Sequence, residues 1–372
     1  MAQTNFAKLT DEQKTVWQMR TWRAARERMF INRFLGTSDD SMIQRITELK
    51  KSEKGARAVM TLIHDLESDG VAGDRHLEGN EEEMKSSDQV VQLDQLRNAV
   101  RHKGKMADQR SVVNFRKEGE NNLSWWLADR FDQMAFLMMS GVSFAFNTNG
   151  SPRAQSDLPF LDFAADVTAP SSNRHFQWDA NGTSAGSLIA PDHGNLAVED
   201  TPSYDMMINL KSLAEDSFIK PLRMRNGVSW YNAFMTPTGI AKLKLDEEFK
   251  KVYREAQPRT PDHPMFKGTD VIWLDGIAIH PYRHVYSTVG GTAWGGGSVD
   301  GQRVILAGSQ ALGMADFSQP EWNEKFFDYN NQPGISIGKI AGLLRPSFHS
   351  IRTGQVDDFG TIVVDTALKA RV

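Results

Sequence analysis

One stretch, residues 58–101, limits the possible folds more than any other. Two strand-like segments, 58–64 and 89–101, flank a charged, glycine-bearing run that includes Gly70 and Gly73 and turns acidic from Glu78 to Glu83. In the second segment Val91 and Leu93 alternate with Gln92 and Asp94, the period of a strand with one covered face. Two strands joined by so long a tip make a projecting arm. An isolated two-stranded ribbon is marginal in water, so such an arm needs a surface to lie on.

The chain has 372 residues, enough for two or three structural units and a real core without disulfide staples. Apolar material is ample, with 9 Trp, 20 Phe and 16 Met, which excludes wholesale disorder. The 43 basic and 47 acidic residues leave a formal net charge of -4. That balance argues against a surface that grips nucleic acid or an anionic membrane all over, though a local basic patch is compatible with it. There are no cysteines, so thiol catalysis, disulfides and thiolate-held metals are out. The first residues carry no secretory pattern, and no apolar run approaches a membrane span. A chain kept in the cytoplasm is expected.

A capping box at Thr10–Gln13 predicts a helix over 11–35 that stops at Gly36. It carries Arg20, Arg23, Arg26, Arg28 and Arg33 among aromatic residues. A second helix fits 41–53, with Gly55 as its left-handed end. The longest helical pattern covers 111–140, where Leu123, Leu127, Phe131, Met134 and Met138 form one apolar stripe and Gly141 supplies the stop. Gly119 weakens its first turns, which are expected to be separate. Residues 144–202 read as a long irregular segment. Helices resume over 203–217 and, with Thr236 capping and Pro237 in the first turn, over 237–256. Asp275-Gly276 marks a hairpin between 271–274 and 277–280. Strands fit 303–307 and 361–365. The mixture is α+β rather than regular βαβ alternation.

Gly182-Thr-Ser184-Ala-Gly186 spells a hydrolase nucleophile elbow, but that chemistry needs a strand before the serine and a helix after it. Its flanks read as loop, so a Ser/Gly turn is the simpler reading. Asp65, Glu67, Asp69 and Gly70 imitate the start of a calcium loop, with His76 where the closing Glu belongs. A glycine-rich turn explains them. His280 and His284 are four apart, but Pro281 spoils a helical metal site. Gly290–Gly297 lacks both nucleotide fingerprints and reads as a flexible tip. The arginines of the first helix have two readings: a solvated face, or contact with nucleic acid or an acidic neighbour.

The block His64-Asp-Leu-Glu-Ser-Asp-Gly-Val-Ala-Gly-Asp74 with Leu77-Glu-Gly-Asn-Glu81 resembles the arm of a tailed-phage major capsid family whose type member belongs to coliphage N-four. Val100–Arg110, Trp126–Gln133, Pro264–Gly268 and Leu306–Gly313 extend the resemblance, which covers roughly 55–345. It implies the Hong-Kong-97-type capsid fold. By that likeness, 1–55 is a helical N-terminal arm and 56–110 an extended two-stranded loop. Residues 111–202 are a peripheral domain with its spine helix at 111–141, 203–335 an axial domain, and 336–372 the return to the peripheral domain.

The implied function is mechanical: copies of the chain, as pentamers and hexamers, close into an icosahedral head shell around double-stranded DNA. The implied contact residues of the extended loop are Asp65, Asp69, Gly70, Asp74, Glu81, Glu82 and Lys85. Arg20, Arg23 and Arg26 would face the genome or a neighbour. Implied partners are a scaffolding protein, a portal and a decoration protein, with no membrane. No catalytic residue, cofactor or metal is expected, and no Lys–Asn cross-link, since Lys85 has no matching Asn. The competing readings are a serine hydrolase using Ser184 and a capsid-associated scaffold or decoration protein.

Overall fold

The computed structural model describes residues 21, 23–46, 57–63, 68–84, 86–111, 114–182, 185–223, 229–256, 271–350 and 353–371. The predicted segments 11–20 and 47–53, together with Arg20, Asp65, Lys85 and Ser184, lie outside them.

The first helix ends sooner than its periodicity predicts. Met29 N–H still bonds Ala25 O at 2.9 Å. The next two N–H groups, of Phe30 and Ile31, donate instead to the Asp132 carboxylate at 2.9 and 3.1 Å. A 3₁₀ turn at Ile31–Phe34 follows. Strand β1 (Leu35–Gly36) and strand β2 (Ile43–Ile46) then pair in parallel. The helix expected from residue 41 is therefore a strand where it is described. Pairing with a neighbouring strand outweighs local helical propensity there.

Strand β3 (Arg57–Ile63) and strand β4 (Ser86–Gln92) form the two-stranded arm. The second arm segment breaks at Leu93, and β5 (Asp94–Arg101) joins a different sheet. One continuous strand over 89–101 is thus two, each in its own sheet. Helix α1 (Lys105–Gln109) is short, and helix α2 (Phe115–Ser140) is the long one. Asn114 caps α2 by accepting from Lys117 N–H, and Gly141, at φ 65°, ends it in the left-handed conformation. The helix runs unbroken through Gly119.

The irregular stretch holds two strands, β6 (His175–Asp179) and β7 (Ser187–Ile189). Helix α3 (Tyr204–Asp216) starts at a Ser203 cap. Strands β8 (Leu222–Arg223) and β9 (Ser229–Met235) follow. The single helix expected over 237–256 is split into α4 (Pro237–Leu245) and α5 (Glu247–Ala256). The break is at Asp246, whose carboxylate accepts from Tyr204 N–H at 3.0 Å and Phe249 N–H at 3.2 Å. The β10 (Ile272–Leu274) to β11 (Ile277–Pro281) hairpin turns on Asp275 at φ 43° and Gly276 at φ 78°, the pair of positive angles a primed turn needs.

Strand β12 (Val299–Ala307) is followed by a long hairpin, β13 (Leu312–Phe327) and β14 (Gln332–Leu344). The pair β15 (Ser347–His349) and β16 (Val356–Asp358) precedes β17 (Thr361–Ala370). The two larger sheets run β1-β2-β13-β14-β5 and β10-β11-β9-β12-β17-β6-β7, with β8 on β9. Helix α2 packs its stripe into one core with Phe30-side residues, Trp322, Ile335 and Ile337. A second core gathers α3 and α4 against β9, β11, β12 and β17. The glycine segment 290–297 is only partly a tip: a Cβ on Gly291 would fall 2.1 Å from Gly150 O, so that stretch is packed against 149–150.

Candidate assembly surfaces

The arm has two halves of opposite character. At its base, Ala58, Met60, Leu62 and Val91 are buried together with Ile46, Ala315 and Leu344 of the main body. Gln89 adds side-chain hydrogen bonds to Ser347. The tip, 68–84, has almost nothing beneath it: only Val71 and Glu82 are even half-covered. Its internal bonds are few, such as Ser68 N–H to Glu82 at 2.8 Å and Gly79 N–H to Glu81 at 2.7 Å. Gly70, Gly73 and Gly79 all have positive φ with open space around them. Asp69, Gly70, Asp74 and Glu81 are exposed there, beside the exposed apolar side chains Leu77 and Met84. Seventeen residues held in an extended shape without a core of their own are suited to lie on another surface.

Large apolar side chains are exposed elsewhere too: Trp125 on α2, Phe160, Phe218, Trp273 and, at the β13–β14 tip, Tyr329. Tyr329 lies between Asp328 and Asn330, all three at positive φ. Exposed singly, such side chains are ordinary on a protein surface.

The inward side of the molecule is the opposite. Leu123, Leu127, Phe131, Met134 and Met138 are all 1 % exposed or less. Between them sits Asp132, a carboxylate absent from the sequence reading. It accepts from Phe30 and Ile31 N–H and from the Tyr282 hydroxyl. Burial pushes the Asp132 carboxyl upward against these bonds. Phe30 stacks on Tyr282 with centroids 4.0 Å apart, so the chain entering the body is tied to α2 by both a ring and a carboxylate. Nearby, Asp129 accepts from His284 Nε2 at 2.8 Å and pairs with Arg283 at 2.9 Å. His280 sits among Phe34 and Phe234, and burial lowers it to about 4. The two histidines of the 280–284 segment therefore have separate structural partners.

Three further buried ion clusters tie strands together. Lys339, 1 % exposed, pairs with Asp316, which also holds Arg45 at 2.8 Å. Arg345 pairs with Asp358 at 3.0 Å. Asp365 pairs with Arg303 at 3.1 Å and takes His175 and His193 on its other oxygen. The signal for these residues was a charge inside an apolar run, as in Ile362-Val-Val-Asp365 and Phe131-Asp132.

Of the arginines singled out, Arg23 is exposed. Arg26 is half-buried and lines a small cleft with Asp316, so it points toward the body. Residues 183–184 lie outside the described residues; strand β6 precedes them and strand β7 (Ser187–Ile189) comes directly after. No helix follows, so the nucleophile-elbow geometry is absent and the hydrolase reading fails on its own structural requirement. Among the described residues no helix is long and apolar enough to cross a membrane.

Comparison with known proteins agrees with this picture. Residues 5–370 match the family described as phage capsid protein. The major capsid protein of Pseudomonas phage KPP25 is 51% identical over 369 residues, 98% of this chain and 97% of that one. The capsid of Ralstonia phage GP4 superposes with a TM-score of 0.74 at 25% identity, covering 91% of each chain. The capsid of cyanophage Pam1 gives a TM-score of 0.67 at 16% identity, covering 99% of this chain and 96% of that one. The chain belongs to the phage capsid protein family; it is a phage major capsid protein of α+β, Hong-Kong-97-type fold, a structural protein rather than an enzyme.

Proposed function

We propose that this capsid protein builds the icosahedral head shell of a tailed phage of the coliphage N-four type, closed around double-stranded DNA. The observation that carries the reading is the arm: a base anchored in its own subunit and a tip, 68–84, with nothing of its own to rest on. Laid across the next subunit, each tip joins neighbours within and between pentamers and hexamers, a heterologous contact that closes by rotation. An arm of this kind adds an interface of standard size, about 1,200 Å² or more. Asp69, Gly70, Asp74, Glu81 and Glu82 form its contact edge, together with Asp65 and Lys85.

The sheet memberships cut across the expected domains: β6, β7 and β17, expected in the peripheral domain, share the sheet of β9, β11 and β12. Residues 203–307 make the axial domain. The hairpin from 312 to 344 pairs with β5 and packs on α2, which favours placing it with the spine helix in the peripheral domain. Arg23, exposed on the N-terminal helix, is better placed than Arg26 to meet DNA or an acidic neighbour. Assembly takes place in the host cytoplasm with a scaffolding protein, a portal and a decoration protein as partners, and without a covalent cross-link.

Electron microscopy of the expressed chain, alone and with its scaffold, tests the reading. Closed shells from the intact chain and open or absent shells from a chain lacking 68–84 are expected. Closed shells from the shortened chain would overturn the role of the arm.

A further inference from the structure

Three side chains that could act as metal ligands converge far from the arm. His175 lies on β6, His193 on the loop after β7, and Asp365 on β17. Both imidazole Nε2 atoms point at the same oxygen, Asp365 Oδ2, at 2.7 and 2.6 Å. The other carboxylate oxygen is occupied by Arg303 Nε at 3.1 Å, and Arg303 is the residue opposite Asp365 in the β12–β17 register. His193, like Asp365, is held from behind. The His193 ring stacks on Trp294 with centroids 4.4 Å apart and planes 3° apart. Its carbonyl accepts from Gly295 N–H at 2.7 Å. The loop is tied to β6 by Asp192 N–H to Gln177 at 2.9 Å. Support of this kind orients the side chains that would hold an ion.

We propose that His175, His193 and Asp365 bind one divalent ion of the zinc class, fastening the 190–195 loop to the sheet. Two imidazole nitrogens and one carboxylate oxygen suit zinc-like ions and are wrong for the all-oxygen shells of calcium and magnesium. Water completes a tetrahedral set. Zinc sits about 2.0–2.1 Å from such donors, which places them roughly 3.3 Å apart. The two hydrogen-bonded spacings, 2.7 and 2.6 Å, therefore have to open by about 0.6–0.7 Å. The movable member is His193, on a loop and 37% exposed, and it also gives the ion a path from solvent. Asp365 is fully buried and already ionised: burial opposes its charge, but Arg303 and the two histidines hold its carboxyl well below the usual range. The positive charge of Arg303 is in turn drawn toward Ser140 O at 2.8 Å, at the negative end of α2.

The test is a calorimetric titration of chelator-treated full chain with zinc chloride, with thermal unfolding followed in parallel. One zinc per chain and a raised unfolding temperature are expected. H193A should weaken binding about 100-fold or more and should lose the zinc-dependent thermal shift, while H349A, at an exposed histidine outside the cluster, should match the parent. Cobalt bound in place of zinc should give the visible absorption of a tetrahedral site in the parent and not in H193A. If the parent shows no saturable site, or if H193A binds as the parent does, the three residues are a hydrogen-bonded ion cluster only and the proposal fails.

Discussion

The arm tip and helix α2 are separated by only some thirty residues in sequence, and they differ sharply in how much of the chain covers them. Helix α2 has its apolar stripe covered, its N-terminus capped and its one inward carboxylate given three donors, all within the chain. The tip has no comparable cover. Cutting the helix's contacts costs the subunit its stability. On the proposed reading, cutting the tip's contacts leaves the subunit intact and costs the shell its closure. On that reading, part of the chain's burial lies in its neighbours.

Four perturbations break or sharpen that contrast, taken from the largest effect on the unassembled chain to the smallest. Phe131→Ala empties a fully buried position under α2 and should cost about 3–5 kcal/mol, read from the urea midpoint. Asp316→Ala should cost nearly as much, about 3 kcal/mol or more, because Lys339 is left charged and buried. Here Lys339→Met added to Asp316→Leu should recover most of the loss. A double variant no better than the single one would mean that the pair is not what the site depends on.

A smaller effect is expected from acid. Burial first, and then Arg33, lower His280 to about 4, against about 6.5 in an unfolded chain. The folded state thus binds fewer protons between these values, so its stability is full above about pH 6.5 and declines as the pH falls toward 4. His280→Phe should flatten that part of the pH–stability curve, by at most one proton's slope. Deleting 68–84 should move the unfolding temperature of the unassembled chain hardly at all, as expected for surface changes within about 0.5 kcal/mol. The same deletion should abolish closed particles in sedimentation. A large thermal loss on that deletion would show that the tip supports its own subunit, and the contrast between the two regions would disappear.

Elements with strong local signals were legible before folding. Gly141 ends the long helix, Ser203 and Thr236 cap theirs, and Asp275-Gly276 turns its hairpin. The stripe of α2 could be read from its spacing alone. Elements whose conformation depends on a distant partner were not. Ile43–Ile46 looks helical until β1 and β13 pair with it. The first helix continues on paper past Met29, but Asp132, about a hundred residues away, takes the N–H groups that would have extended it. The β13–β14 hairpin carries no local turn signal, because its tip is turned by Asp328, Tyr329 and Asn330 at positive φ rather than by glycine.

The candidate surfaces divide the same way. A charged tip between two strand segments announces itself in composition, because solvent exposure leaves a local record in the residues. Buried charges such as Lys339, Asp365 and Asp132 look like flaws in apolar runs until their partners arrive from other strands. Periodicity, caps and turns are interactions between near neighbours, so the amino-acid order alone determined the long helix, the capped helix starts, the arm and the α+β class. Which strands share a sheet and which charges meet inside depend on contacts between residues far apart in the chain, and only the folded molecule decided those.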